Sequence, residues 1–128
     1  MFTKQAGFSL IELLIVLAIA GVLWAVAYPV YSTAILKVRR TEAKITLLNL
    51  VTQMERYYWH SHSYADASLK KLGVTNKTEH HYYTLSLIAS AHHYELIAVP
   101  NFKDKACSKF SLNELGEKKS MGSSKQCW

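Results

Sequence analysis

Glycine, proline and cysteine are scarce in this chain, which has five, two and two of them among its 128 residues. Neither glycine nor proline, the residues that most disfavour helices, occurs between Val30 and Trp59. Charged residues are absent from the sixteen positions between Leu13 and Tyr28. Together these absences favour one long helix of roughly fifty residues beginning near Phe8, well above the average helix length of a globular protein.

The motifs of common catalytic sites are also missing. The sequence has no glycine-rich phosphate loop, no GxSxG elbow, no HExxH pair and no isolated cysteine nucleophile. Its six histidines come in three close pairs, and metal binding would need further ligands to converge on one of them. We therefore predict that the protein is not an enzyme, needs no cofactor and has no metal site.

An apolar segment runs from Phe8 to Ala27, interrupted only by Ser9, Glu12 and Gly21. About twenty helical residues, at 1.5 Å each, cross a hydrocarbon layer ~30 Å thick. A carboxylate in lipid costs roughly 2.5–3.5 kcal/mol on insertion scales, so Glu12 is a candidate functional residue.

The start of this segment, Gly7-Phe8-Ser9-Leu10-Ile11-Glu12, resembles the type IV prepilin signal. A secretory signal peptide loses its apolar core on cleavage, whereas a cut after Gly7 would keep the apolar helix. The resemblance implies that a prepilin peptidase cuts between Gly7 and Phe8 and methylates the new Phe8 amine. It also implies that Glu12 recognises the amino terminus of a neighbouring subunit. The alternative is an ordinary signal anchor with Glu12 near the lipid headgroups.

We expect three parts: a cleaved leader (1–7), a hydrophobic transmembrane or fibre-core helix (8–30) and a globular domain (31–128). More cations follow the apolar segment than precede it, where Lys4 stands alone, so the positive-inside rule would favour a cytoplasmic domain. Two cysteines in an exported domain suggest an oxidising compartment instead. With the prepilin signal, they predict a bacterial inner-membrane prepilin with a periplasmic domain, which becomes part of an extracellular fibre.

Pro29 directly follows the apolar segment and is expected to bend or interrupt the helix. Type IV pilins are similar in carrying a proline at this depth. The resemblance implies that, in an assembled fibre, the helix loosens between Pro29 and a glycine further in, for which Gly21 is the candidate.

The next helical stretch is amphipathic, because Val38, Ile45, Leu48 and Val51 recur at helical spacing and predict one buried face. Further apolar residues widen that face: Leu47, Leu50, Met54 and Tyr57. A short helical turn is predicted over 66–72, ended by Gly73. Two hairpins are predicted from strands at 82–88, 93–100, 110–113 and 117–120. The predicted fold is α+β, a long N-terminal helix packed on a small four-stranded antiparallel sheet.

Cys107 and Cys127 are predicted to form a structural disulfide, worth roughly 3 kcal/mol for a loop of this length. A reactive thiol pair is the alternative, but the spacing lacks the CxxC pattern. The Cys127-Trp128 pair, and the Leu-Asn-x-Leu-Gly-x-Lys run after Cys107, resemble the disulfide-bounded C-terminal region of pilins.

The resemblance predicts a structural subunit of a type IV pilus, closer to a minor than to a major pilin. Its implied partners are other pilin subunits, a prepilin peptidase and, before assembly, the inner membrane. A pseudopilin of type II secretion shares the N-terminal signal, but the tail from Lys118 to Gln126 lacks the acids of a calcium loop. Adhesion, motility and DNA uptake stay open as roles of the fibre.

A competence pilin that binds DNA is the alternative from a different functional class. The formal net charge is +6, and all but one of the Lys and Arg residues lie from Lys37 onward. Phosphates attract such a surface without regard to sequence, although a solvated basic surface is the simpler interpretation. The candidate DNA contacts are Lys103, Lys105, Lys109, Lys118, Lys119 and Lys125.

Overall fold

The structure is a computed structural model that describes residues 6–128, so Lys4 and most of the predicted leader lie outside the described residues. It divides into two units, one ending at Lys37 and the other comprising Val38–Trp128. The elements are helix α1 (Leu10–Ser61) and strands β1 (Tyr83–Ala89), β2 (Tyr94–Pro100), β3 (Lys109–Asn113) and β4 (Lys118–Met121). The predicted α+β class is confirmed, whereas the predicted boundaries at residues 7 and 30 stay predictions.

The sheet is a simple antiparallel meander in the order β1-β2-β3-β4. Its register places Leu87 opposite Leu96, and Leu96 opposite Leu112, so one face of the sheet is apolar. Both predicted hairpins are present, and each strand begins and ends within about one residue of the predicted position.

The second unit has one core, built between the sheet and one face of α1. The helix contributes residues at spacings of three and four, which is the repeat of one helical face: Ala43, Leu47, Leu50 and Met54. The strands contribute alternate residues, which share one face of a sheet: Tyr83, Leu85, Tyr94, Leu96, Ala98, Phe110 and Leu112.

The predicted inner face of the helix was partly wrong. Leu47 and Leu50 are buried as predicted, but Val38, Ile45 and Leu48 are exposed. The helix is apolar on two faces, and a periodicity that includes both cannot tell which face the sheet covers.

The segment after α1 is held by local hydrogen bonds. His62 has a positive φ of 57°, and its N–H donates to the carbonyl of Tyr58 at 2.7 Å, which ends the helix. The helical turn predicted over 66–72 is shorter than predicted: hydrogen-bonded turns cover 69–73, and the Leu72 N–H donates to the Ser68 carbonyl at 3.1 Å, the bond of a single helical turn. Gly73 has the expected positive φ, 73°, at the end of those turns.

The predicted disulfide between Cys107 and Cys127 is present, and both half-cystines are buried. The last residues pack beside the 105–106 backbone, where Ser123 and Ser124 donate to the carbonyls of Lys105 and Ala106. A Cβ at Gly122 would lie 2.3 Å from the Ala106 carbonyl oxygen, so only glycine fits there.

Candidate functional site

The residues of the predicted processing site lie at the start of α1. Ser9 precedes the helix and accepts a hydrogen bond at its Oγ from the Glu12 N–H at 3.3 Å. The carbonyl of Ser9 accepts from the Leu13 N–H at 3.2 Å. This is N-cap geometry, and Glu12 stands in the first turn, where the helix dipole favours a negative charge.

Gly7 and Phe8 lie before the helix and are both exposed. A side chain added at Gly7 would meet no atom of the described chain within 4 Å, so the glycine is not required by packing. This exposed position is compatible with access by a peptidase.

The apolar part of α1 is exposed in the single chain. Every large apolar side chain from Phe8 to Tyr31 among the described residues is at least 49 % exposed. By length and composition, α1 is apolar enough to cross a membrane. A continuous exposed surface of this kind has to be covered by lipid or by other protein chains.

The predicted helix interruption is absent from the single chain, because α1 is continuous through Gly21 and Pro29. The hydroxyls of Ser32 and Thr33 donate to the Pro29 carbonyl at 3.0 and 2.9 Å, which adds hydrogen bonds next to the proline. Helix loosening between Gly21 and Pro29 in an assembled fibre stays a prediction.

Four of the six candidate DNA-binding lysines lie within the disulfide loop, and Lys103 and Lys105 lie just before Cys107. Lys109 and Lys119 line one groove of about 360 Å³ on the sheet, together with Glu95, which offsets part of their charge. Lys103, Lys105, Lys118 and Lys125 are exposed. The backbone pairing of 123–124 with 105–106 places Lys105 and Lys125 on neighbouring segments.

Trp128 anchors this basic region to the core. Its ring meets Phe110 edge to face at 5.6 Å, and its Nε1–H donates to the Lys119 carbonyl at 2.8 Å. The Lys118 ammonium lies 5.6 Å from the centre of the Trp128 ring, within cation–π range. The disulfide and Trp128 thus fix the backbone that carries Lys118 and Lys119.

A buried ion pair holds the loop between β2 and β3 against α1. Arg40 donates two parallel hydrogen bonds of 2.8 Å from Nε and Nη2 to the carboxylate of Asp104. Asp104 also accepts from the Cys107 N–H at 3.2 Å. Hydrogen bonding from Arg40 lowers the pKa of Asp104, against the opposing effect of burial, so the carboxylate stays ionised. Lys103 and Lys105 flank this anchor.

Next to this anchor, Arg39 lies between two aromatic rings. Its guanidinium carbon is 4.6 Å from the centre of the Tyr82 ring and 4.8 Å from that of Phe102. The imidazole of His80 stacks on the Tyr82 ring, and the two ring centroids are 5.8 Å apart. This cation–aromatic cluster was not predicted, because nothing local in the sequence links these positions.

Two histidines are paired with carboxylates. His80 Nδ1 contacts Glu42, and His93 Nδ1 contacts Glu114. Glu42, Glu79 and His80 also offer donor atoms that lie within 4.8 Å of one another, the one group of potential metal ligands found among residues 6–128. The convergence of these donors was not predicted from the sequence.

Comparisons with known proteins agree with the geometry. Residues 29–111 match the family model described as "Type IV minor pilin ComP, DNA uptake sequence receptor", and residues 2–28 match the prokaryotic N-terminal methylation motif. The crystal structure of the non-core minor pilin PilV of Neisseria meningitidis superposes with a TM-score of 0.57 and 29% identity. That match covers 70% of this chain and 90% of PilV.

Two curated relatives share shorter regions. A fimbrial protein of Neisseria meningitidis is 35% identical over 79 residues, which are 62% of this chain and 46% of the relative. The type IV major pilin protein PilA of Myxococcus xanthus is 36% identical over 63 residues, 49% of this chain and 29% of PilA. The matches thus span less than half the length of either relative.

Proposed function

The chain belongs to the family of the type IV minor pilin ComP, the DNA uptake sequence receptor, and we propose that it is a structural subunit of a type IV pilus. Other pilin subunits are its partners, and they pack against its N-terminal hydrophobic helix. The family is one of pilins, which supports this structural role over that of a type II secretion pseudopilin. The absence of enzymatic activity stays a prediction.

The exposed apolar surface of α1 is the observation that carries this proposal. Side chains from Phe8 to Tyr31 are exposed, whereas Val38–Trp128 has its own core and disulfide. Lipid covers the apolar helix before assembly, and neighbouring helices cover it in the fibre. The subunit therefore exchanges one apolar environment for another, with little loss of hydrophobic burial.

Processing at the start of α1 belongs to the same proposal. A prepilin peptidase removes the leader after Gly7 and methylates the Phe8 amine, as the match to the methylation motif supports. The Glu12 carboxylate then pairs with the Phe8 ammonium of a neighbouring subunit, because an uncompensated charge in an apolar bundle is costly. In this proposal the domain faces the periplasm before assembly and lies on the outside of the fibre afterwards.

The test replaces residues on either side of the cut. We expect Gly7→Val to block both leader removal and pilus incorporation, and Glu12→Val to allow cleavage but reduce incorporation. Mass spectrometry detects removal of the leader, and immunoblots of sheared pili measure incorporation of the subunit. Ala6→Ser, one residue before Gly7, is the matched control and should behave as wild type. Normal pilus incorporation of the Glu12→Val protein would contradict the assembly role.

DNA binding is the second candidate, and the family description favours it. We propose that DNA phosphates contact the lysines within and just before the disulfide loop: Lys103, Lys105, Lys109, Lys118, Lys119 and Lys125. The support is the placement of Lys105 and Lys125 on neighbouring segments, with further lysines on β3 and β4. Because counterion release dominates such contacts, the affinity should fall steeply with salt.

The DNA test measures duplex binding by the full chain in detergent micelles over a range of salt concentrations. We expect the double variant Lys105→Gln with Lys125→Gln to bind DNA more weakly. The slope of log K against log salt concentration should become less steep by about two phosphate contacts, at ~0.9 per contact. Lys70→Gln with Lys71→Gln removes two exposed lysines on the segment between α1 and β1, away from the proposed surface in sequence, and should change little. Equal weakening of DNA binding in both double variants would indicate attraction by net charge alone and would contradict the proposed DNA-binding surface.

A further inference from the structure

One imidazole and two carboxylates converge beside the segment that precedes β1. Glu42 comes from α1, where it is partly buried, while Glu79 and His80 are exposed on the adjoining segment. Glu42 Oε1 accepts from the His80 backbone N–H at 3.3 Å and also contacts His80 Nδ1. Two elements that are far apart in sequence are thereby brought to one point.

From this geometry we propose that Glu42, Glu79 and His80 bind a divalent transition-metal ion, with Zn²⁺ as the reference ion. Zinc takes nitrogen and oxygen ligands at about 2.0–2.1 Å, so neighbouring ligands of a tetrahedral ion lie about 3.3 Å apart. The three donor atoms already lie within 4.8 Å of one another, and an ion between them would replace the present Glu42–His80 contact. Water completes the coordination, because Glu79 and His80 face solvent.

The imidazole among the three ligands favours one class of metal ion. Ca²⁺ and Mg²⁺ take oxygen ligands, whereas an imidazole with carboxylates suits zinc and copper. Glu42 Oε1 faces both the backbone N–H and the ring of His80, so the carboxylate and the imidazole of the proposed site are already side by side.

The surroundings also hold the histidine ring in place. The ring of His80 stacks on Tyr82, and Tyr82 in turn covers the guanidinium of Arg39. Such support around a ligand restricts its rotation and lowers the cost of ordering it on the ion. An ion at this point would join α1 to the segment before β1 through bonds stronger than the present Glu42–His80 contact.

The test titrates the full chain in detergent micelles with Zn²⁺, after treatment with a chelator, in competition with a chromophoric zinc chelator. We expect one equivalent of zinc and a rise in Tm of the wild type. His80→Ala should weaken binding by at least about tenfold, since even supporting residues around metal sites contribute that much. Glu42→Gln should act in the same direction. His81→Ala, which removes the adjacent histidine outside the cluster, is the matched control and should bind as wild type.

Three results would overturn the proposal: no bound zinc in the wild type, wild-type affinity in His80→Ala, or equal losses in His80→Ala and His81→Ala. Calcium binding of similar strength to zinc would also overturn it, since it would indicate carboxylates acting without the imidazole. His80 is exposed, so His80→Ala tests the site without threatening the core. Neither the pilus role nor DNA binding depends on the outcome.

Discussion

Two parts of one helix differ in what stabilises them. In the part of α1 up to Lys37, the large apolar side chains are exposed or only partly buried, whereas from Ala43 onward one face is buried against a sheet. The first part is stabilised only by helix propensity and by whatever surrounds it, lipid or other helices. The second part is stabilised by packing within its own chain. A change in sequence should therefore have different consequences in the two parts.

The largest effect is expected from adjacent leucines that lie on different faces. Leu47 is fully buried and Leu48 is 47% exposed. We expect Leu47→Ala to lower the free energy of unfolding by about 3–4 kcal/mol, from lost transfer energy and the cavity left behind. Leu48→Ala is the matched control and should cost less than about 1 kcal/mol. Thermal denaturation of the full chain in detergent measures both, and equal losses would refute the assignment of the buried face.

Loss of the disulfide should destabilise only the packed part. We expect Cys107→Ser with Cys127→Ser to lower the free energy of unfolding by about 3 kcal/mol, through greater freedom of the unfolded chain. Wild-type protein treated with reductant is the control and should lose a similar amount. The helical circular dichroism contributed by the apolar segment should persist. A loss below about 1 kcal/mol would show that packing of the Trp128 ring suffices to hold this region.

Much of the packed part could be predicted from sequence, because its signals are local. The alternation of apolar and polar residues, with turn residues between the runs, predicted the four strands to within about one residue. The disulfide could be predicted because each of the two cysteines has only the other to pair with. The helix face was harder, since Val38, Ile45 and Leu48 are apolar yet exposed. An apolar residue that meets a neighbouring subunit has the same local pattern as one that meets the sheet.

The long-range polar contacts could not be predicted from the sequence. Arg40 and Asp104 are 64 positions apart, and Glu42 and His80 are 38 apart. Each pair depends on how the loops fold back onto α1, which no periodicity encodes. The prepilin residues were found because their motif is contiguous, while the cluster of Arg39 with Tyr82 and Phe102 became visible only in three dimensions.

The buried ion pair predicts a pH dependence confined to the packed part. Asp104→Asn should lower the free energy of unfolding by about 2 kcal/mol at neutral pH. Breaking a fully buried pair would cost more, but the Arg40 side chain is 20% exposed. Since the folded pKa of Asp104 is lowered, its contribution is fully present above the unfolded pKa of about 3.9 and is lost as pH falls through the folded pKa. Denaturation at a series of acidic pH values should show this loss in wild type and a smaller one in Asp104→Asn. Asp66→Asn, an exposed acid, is the control, and an unchanged acid profile in Asp104→Asn would contradict the prediction.

The smallest effect is expected at the start of the exposed part. Ser9→Ala removes the hydroxyl that accepts from the Glu12 N–H, and such caps contribute about 1 kcal/mol locally. Because this turn is exposed in the described part of the chain, the Tm of the packed part should not change. Hydrogen exchange at the Glu12 and Leu13 amides should accelerate by roughly fivefold, the factor that 1 kcal/mol implies. Ser32→Ala, which removes a hydroxyl bonded to a helix-interior carbonyl, should leave those two amides unaffected. If Ser9→Ala also left their exchange unchanged, Ser9 would not be the cap, and its place in the Gly7–Glu12 motif would have to be explained by processing alone.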